Sequence, residues 1–309
     1  MHIALLCATQ RGRAFLEHLF QQLSHCAPQA QLTVFSFAED PWEPRYLDDI
    51  RALAQGCGAR FVETRRVEKA SADLPSVDLL LAVSWRYLIP ANVFQAPRLG
   101  AYVFHDSLLP QYRGFAPTVW AILNGESQTG VTLCRMAEHV DAGDIVAQQA
   151  VPIGAEETIA DVMARVTQTY LNLLTENLPA LLAGTVQATP QDHAAATYTC
   201  KRLPEDNRID WTQTTASIHN LIRAVTFPYP GAYTTLEGRK LIIWAAQRCP
   251  DELVYVGRVP GRVIGVEPGV GTKVLTGDGV LLVTRVQADD GEPINASELL
   301  RSPSQTLGR

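Results

Sequence analysis

Residues 78–85 read DLLLAVSW, a near-continuous apolar run with no alternation of polar and apolar positions. A strand that is solvated on one face alternates, whereas a strand covered on both faces stays apolar, so this run predicts a central strand of a parallel sheet. The residues before it fit such a sheet. Ile3–Cys7, Leu32–Phe37 and Arg60–Glu63 read as short strands, with amphipathic helices over Arg13–Leu23 and Arg45–Ala54 between them. Alternating strands and helices imply an α/β fold, a doubly wound, Rossmann-like parallel sheet with helices on both faces. The turn after the first strand, ATQRG, lacks GxGxxG spacing and gives a dinucleotide site little support.

The second half has a different texture. A long helical pattern runs from Ala155 to Ala183, opens on acidic residues, carries Val162, Val166, Tyr170, Leu173 and Leu174 on one stripe, and stops at Gly184. Thr185 to Asn207 is polar and without apolar periodicity, which reads as a linker. After a helix over Ile218–Val225 come short strands at Ala232–Leu236, Leu241–Ala246, Gly261–Val266, Lys273–Leu275 and Val280–Val286, separated by Gly-rich turns as in a small barrel. The expected division is therefore residues 1–184, a linker at 185–207, and a smaller domain at 208–309.

Chemistry-bearing residues cluster between the two textures. The β-rich run ending at His105 turns through Ser107 to Gly114 before a helix begins at Pro117, and a second run, Gly130–Met136, breaks at HVDAGD, residues 139–144. An imidazole and a carboxylate thus fall on loops, where open α/β sheets commonly place catalytic groups. His105 and Asp141 form the candidate pair: a carboxylate beside one ring nitrogen fixes the tautomer and suits the imidazole to taking a proton from an amine. A histidine after a strand is more often a capping or packing residue, so the pattern alone leaves both readings open.

The run SLLPQYRGFAPTVWAILNGESQTGVTLCRM, with VDAGDIV after it, resembles the core of the folate-dependent formyltransferase family, whose branches act on methionyl-tRNA, glycinamide ribonucleotide and nucleotide-linked amino sugars. The resemblance covers nearly the whole chain. It is strongest over residues 100–153 and moderate over 210–244, and it is nearer to the nucleotide-sugar branch. It implies formyl transfer from 10-formyltetrahydrofolate to an amine, without a metal, and an OB-like barrel as the smaller C-terminal domain beside a catalytic domain at 1–184. The family's catalytic set is an Asn, a His two residues later and an Asp in the DxGD turn. His105 and Asp141 match, but the Asn position holds Val103. Valine has no polar atom to donate to the oxygen of the developing tetrahedral intermediate, and losing one such donor typically costs ~2.7–4 kcal/mol. Asp106 departs too, because Pro or Gly commonly follows the His; a carboxylate there favours the imidazolium but opposes an oxyanion. By the same resemblance, Trp85, Arg86, Tyr87, Leu88 and Ile89, with His139, Val140, Gly143 and Asp144, line the folate pocket. Ser107, Tyr112, Arg113, Asn220 and Arg223 face the acceptor.

Charge narrows the acceptor. The net charge is -6 over 309 residues, and the span from Lys201 to Arg309 carries 13 Lys or Arg against 12 Asp or Glu, a poor footprint for tRNA. A small-molecule amine, a nucleotide-linked amino sugar in particular, is the expected acceptor. Two alternatives stand beside it: a folate-binding relative that is inactive in transfer or hydrolyses the donor, which Val103 motivates, and a methionyl-tRNA formyltransferase. The six cysteines show no CxxC spacing and no Cys/His cluster, so neither a disulfide framework nor a metal site is expected. No apolar run approaches a membrane span or a signal peptide, and the expected location is the cytoplasm.

Overall fold

The computed structural model describes residues 1–71, 76–249, 253–288 and 291–309, which form two compact units. The first gathers Met1–Thr118, Gln128–Pro152 and Met163–Lys201; the second gathers Val119–Ser127, Ile153–Val162 and Arg202–Arg309. These units are interleaved along the chain. Residues 185–201 belong with the first, whereas the sequence reads them as part of a linker.

In the first unit the order is β1 (His2–Cys7), α1 (Thr9–Cys26), β2 (Gln31–Ser36), α2 (Leu47–Gly56), β3 (Arg60–Glu63), α3 (Val67–Ser71), β4 (Leu79–Val83), α4 (Ala91–Phe94), β5 (Ala101–His105) and β6 (Arg113–Gly114). Along the chain follow α5 (Pro117–Leu123), most of which belongs to the second unit, β7 (Gln128–Arg135), β8 (Ile145–Pro152), α6 (Ile159–Ala183), whose first turn also belongs to the second unit, and β9 (Tyr198–Thr199). A seven-stranded sheet has the order β3-β2-β1-β4-β5-β7-β8. The strand β4 sits inside it with all five residues buried, as its unbroken apolar run requires.

The sheet departs from the all-parallel expectation at one side. β7 runs antiparallel to β5, and β8 antiparallel to β7. The β7–β8 connection at 136–144 is too short for a crossover, which takes about a dozen residues or more, so those two strands can only pair as a hairpin. The apolar run of β8 is broken at Gln148 and Gln149, which with Ala150 are exposed, and no strand is expected there from the sequence.

Side-chain alternation along β5 sorts the two faces of the sheet. Tyr102 and Phe104 point to one face, where Phe104 meets Phe15 of α1 edge-on at 4.9 Å and stacks on Tyr170 of α6 at 5.7 Å. Ala101 and Val103 point to the other and join a cluster with Ala4, Leu6, Leu80, Ala82, Val93, Trp85, Ile89 and Met136. Helix α6 starts later than its sequence pattern suggests, because Glu157 instead caps the Gly154 amide at 2.7 Å and Asp161 the Thr158 amide at 2.9 Å. The helix ends at Gly184, whose φ of 68° suits a residue without Cβ.

The second unit contains α7 (Thr215–Val225), β10 (Ala232–Leu236), β11 (Arg239–Arg248), β12 (Val263–Glu267), β13 (Gly271–Leu275), β14 (Val280–Ala288), β15 (Ile294–Asn295) and α8 (Ala296–Leu299). Its six strands form one antiparallel sheet in the order β10-β11-β14-β13-β12, with β15 on β14. Register shifts at Ile243–Ala246 of β11 and at Val263–Gly265 of β12 mark bulges, which bend a strand and raise its twist. Ile218, Ile222, Leu241, Ile243, Val274, Leu281 and Val283 are buried in this unit. Among the described residues, no helix is long and apolar enough to cross a membrane.

Candidate active site

His105 ends β5 on the same face as Val103, and its ring is buried. Its Nε2 lies 2.9 Å from the Tyr112 carbonyl oxygen, and its Nδ1 lies 3.5 Å from Asp141 Oδ2. A carbonyl can only accept, so Nε2 carries a hydrogen and donates it. In the neutral ring the lone pair is therefore on Nδ1, the nitrogen that faces the carboxylate. Tyr112 reaches this position with φ 58°, and its own amide is fixed by the Thr197 hydroxyl at 2.8 Å. A non-glycine residue held at positive φ costs of order 1–3 kcal/mol, and such residues gather at functional sites. Tyr112, Ala116 and Asp141 are all held so.

Asp141 arrives by a longer route. Because β7 is antiparallel, it leaves the sheet with Arg135 opposite Tyr102, at the amino-terminal end of β5. At ~3.3 Å per residue, the turn that follows must fold back about 10 Å across the sheet face to bring a carboxylate level with His105. Two features allow it. Asp141 adopts φ 52°, and a Cβ on Gly143 would collide with the Arg135 carbonyl oxygen, so the turn presses against the strand where only glycine fits. Asp141 Oδ2 accepts from the Gly114 amide at 2.9 Å. Gly114 is itself obligatory, because its φ is 105° and a Cβ there would stand 2.5 Å from the Thr199 carbonyl oxygen.

Residues 189–199 fasten both loops. Thr189 exchanges two backbone hydrogen bonds of 2.8 Å with Ile145. Gln191 Nε2 donates to the carbonyls of Asp141 at 2.9 Å and Gly143 at 2.6 Å, and its Oε1 accepts from Arg113 Nη2 at 2.6 Å. β9 pairs with β6 in parallel, and the Arg113 amide donates to the Thr197 carbonyl at 2.9 Å. Gln191 escapes sequence reasoning because its partners are far away in the chain and a lone glutamine in a polar segment has no local signature.

The other sequence candidates have these surroundings. Val103 is flanked across the ladder by Ala82 and Cys134, neither of which carries a strong side-chain donor. Burial pushes the Cys134 thiol well up, and Asp141 adds to the effect, so it stays a weakly polar S–H. Trp85 packs edge-on against Phe37 at 5.2 Å, and its buried Nε1–H has no partner among the described residues. Tyr87 meets Phe37 at 4.8 Å, Leu88 is 81% exposed, and Ile89 covers the apolar cluster. Arg86 is bound to Asp40 at 3.2 Å and Glu43 at 2.7 Å. His139 and Val140 are exposed on the turn, whose Asp144 carbonyl accepts from the Arg135 amide at 2.9 Å. Ser107 is buried and donates to the Gln111 carbonyl at 2.6 Å. Arg113 is likewise buried, on Gln191 and on the Tyr198 hydroxyl at 3.1 Å. In the second unit, Arg223 donates to the carbonyls of Gly154 at 3.1 Å and Glu157 at 2.9 Å, and to Asn220 Oδ1 at 2.9 Å.

Asp106 points away from His105. Its carboxylate lies on the opposite face, 3.3 Å from Arg11 Nη1, 2.9 Å from the Thr118 hydroxyl and 3.3 Å from the Tyr170 hydroxyl. Burial pushes its pKa up, yet Arg11, His105 and the Thr118 hydrogen bond together outweigh burial and hold it below the usual carboxylate range. Strand alternation turns successive side chains to opposite faces, so Asp106 lies away from the face that carries His105, while its charge still interacts with the ring.

A doubly wound sheet with a histidine and a carboxylate on its loops, joined to an antiparallel sheet unit, is the two-domain architecture of the formyltransferases. Residues 55–178 match the formyl transferase domain and residues 202–304 the formyl transferase C-terminal domain. The chain belongs to the formyl transferase family. Its fold is similar to that of an N-formyltransferase from Helicobacter canadensis, solved in complex with folinic acid and dTDP-3-aminofucose, with 19% identity and a TM-score of 0.68 over 93% of this chain and 99% of that one. A 4-N formyltransferase from Francisella tularensis is 20% identical with a TM-score of 0.60, covering 75% of this chain and 91% of that one. A variant of HypX from Aquifex aeolicus is 22% identical with a TM-score of 0.65 over 97% of this chain. That match takes in 47% of HypX, so this chain spans about half its length.

Proposed function

We propose that this chain is an N-formyltransferase that moves a formyl group from 10-formyltetrahydrofolate to the amine of a small molecule, a nucleotide-linked amino sugar in particular. The observation that carries the reading is the His105 ring, tied through Nε2 to a carbonyl and open through Nδ1 toward Asp141. In this assignment Nδ1 takes the proton that the attacking amine must shed, and the Asp141 carboxylate stabilises the resulting imidazolium. The folate, when bound, supplies the formyl carbon. Residues 85–89 and 139–144 are the assigned holders, and the unpartnered Trp85 Nε1–H fits a ring with acceptor atoms, since a buried donor left unmade costs about 1–3 kcal/mol. The solved relatives support the same classes of donor and acceptor: one was crystallised with folinic acid and a dTDP-amino sugar, and HypX with tetrahydrofolic acid.

Val103 favours a second reading, in which donor is bound and its formyl group is released to water or not moved. One experiment separates the two. The protein is mixed with 10-formyltetrahydrofolate and a panel of amines, and tetrahydrofolate release and acceptor mass are followed. The transfer reading expects tetrahydrofolate together with an acceptor gain of the formyl mass. Free formate with no amine product establishes hydrolysis, and binding without turnover establishes the inactive relative.

A further inference from the structure

We infer that Gln191 is a positioning residue for Asp141, acting as the clasp that holds the back-folded 139–144 turn so that its carboxylate faces His105. The role rests on the transfer reading given above for the His105 and Asp141 pair. Three observations carry it. First, the turn is not held level with His105 by the sheet, because β7 exits at the far end of β5 and the chain must double back. Second, the Gln191 amide has its orientation fixed: Nε2 faces two carbonyl oxygens, which only accept, and Oε1 faces a guanidinium, which only donates. A flipped amide would lose all three bonds. Third, the side chain is buried, at 6% exposure, and its anchor Arg113 is buried as well, at 2%. A buried amide with every polar hydrogen engaged resists displacement, since each bond broken leaves a group unsatisfied.

The arrangement couples two motifs. Arg113 of the YRG loop holds Gln191, Gln191 holds the turn, and the Asp141 carboxylate returns to the same loop by accepting from Gly114 at 2.9 Å. A displacement of about 1 Å at a reacting group can cost ~100-fold in rate. The clasp therefore acts on turnover through Asp141, and it bears on the donor as well, since residues 139–144 are also assigned to hold the folate.

Two variants separate clasping from plain packing. Gln191→Leu removes all three bonds. Gln191→Glu keeps an acceptor for Arg113 but loses both donors and sets a carboxylate oxygen against two carbonyls. Positioning predicts that both variants lower kcat roughly 10- to 100-fold, with a smaller loss of affinity for a reduced-folate analogue, because the 139–144 turn is also assigned to the donor. A role confined to anchoring residues 189–199 predicts that Gln191→Glu matches the wild type. Amide hydrogen exchange gives a readout independent of catalysis: the Gly114 amide, bonded to Asp141, should lose protection in both variants while the Arg113 amide, bonded to Thr197, keeps it. Wild-type protection at Gly114 in Gln191→Glu overturns the inference, and so does loss at Gly114 and Arg113 together, which marks collapse of the whole segment. If the wild type transfers no formyl group to any amine, the transfer reading fails, and the exchange pattern still decides whether Gln191 holds Asp141.

Discussion

Among the described residues, the rings of two buried histidines face a carboxylate, one in each compact unit. His105 Nδ1 faces Asp141 at 3.5 Å, and His219 Nε2 faces Glu156 at 3.2 Å. Each ring also bonds a backbone group, Tyr112 in the first case and Ala246 in the second. The carboxylates differ in what else they meet. Asp141 is 12% exposed and accepts from a neutral amide, so its charge remains available to an imidazolium. Glu156 is 60% exposed and already paired with Arg248 at 2.6 Å. Burial, Arg248 and Arg223 together outweigh Glu156 and press the pKa of His219 below its usual range. A histidine beside a carboxylate is thus not yet a base. Burial and the cations around the pair bear on whether a ring gains a proton, and at His219 burial opposes it most, with Arg248 and Arg223 adding to the effect.

The largest expected effect sharpens that contrast. His105→Ala and Asp141→Asn should each lower kcat by ~10²–10⁴, the range general acid–base catalysis supplies, with small changes in folate affinity. The double variant should be little worse than the worse single one, because the two groups act as a unit. His219→Gln should leave kcat within about threefold. Steady-state kinetics on the four proteins check this, and a collapse of kcat in His219→Gln would erase the distinction.

Next in size is Val103→Asn. Placed among Ala82 and Cys134, an amide there should restore a donor for the formyl oxygen and raise kcat by on the order of 100-fold. Flat or lower turnover together with a reduced melting temperature would mean that Val103 is core packing and that transfer does not wait on that donor.

The smallest effect concerns stability against pH. His219 has a folded pKa below its unfolded one, so on acidification the unfolded chain takes the proton first. Stability should be fully present above the ordinary histidine range, fall as pH drops through it, and level off below the folded value. His219→Gln should remove this contribution, read as a flatter dependence of urea midpoints on pH. An unchanged slope would show that the ring does not titrate differently on folding.

The two histidines also show what a sequence discloses. The unbroken apolar run of β4, the alternation ahead of it and the strand-end position of His105 were legible because each is a local pattern. So was Asp141, through an acidic turn with small residues. What stayed hidden depends on pairing at a distance. The antiparallel β8 is half exposed and its apolar residues are interrupted by Gln148 and Gln149, and the fold-back of the 139–144 turn follows only from the β5–β7 register. Residues 189–199 look like a polar linker, since their order comes from bonds to loops far away in the chain. Asp106 was placed beside His105 by adjacency, where strand alternation turns it to Arg11 on the other face. Arg113 and Arg223 carry the charge expected of acceptor contacts, and the structure engages both in bonds within their own units.

Proton transfer at this pair turns on which nitrogen of His105 is free to take a proton, and nitrogen-15 NMR of the ring reads it directly. At a pH where the ring is neutral, the fixed Tyr112 carbonyl predicts a pyrrole-type signal from Nε2 and a pyridine-type signal from Nδ1, retained in Gln191→Glu. The reverse assignment, with the hydrogen on Nδ1 toward Asp141, would contradict the geometry on which the proposed proton transfer rests.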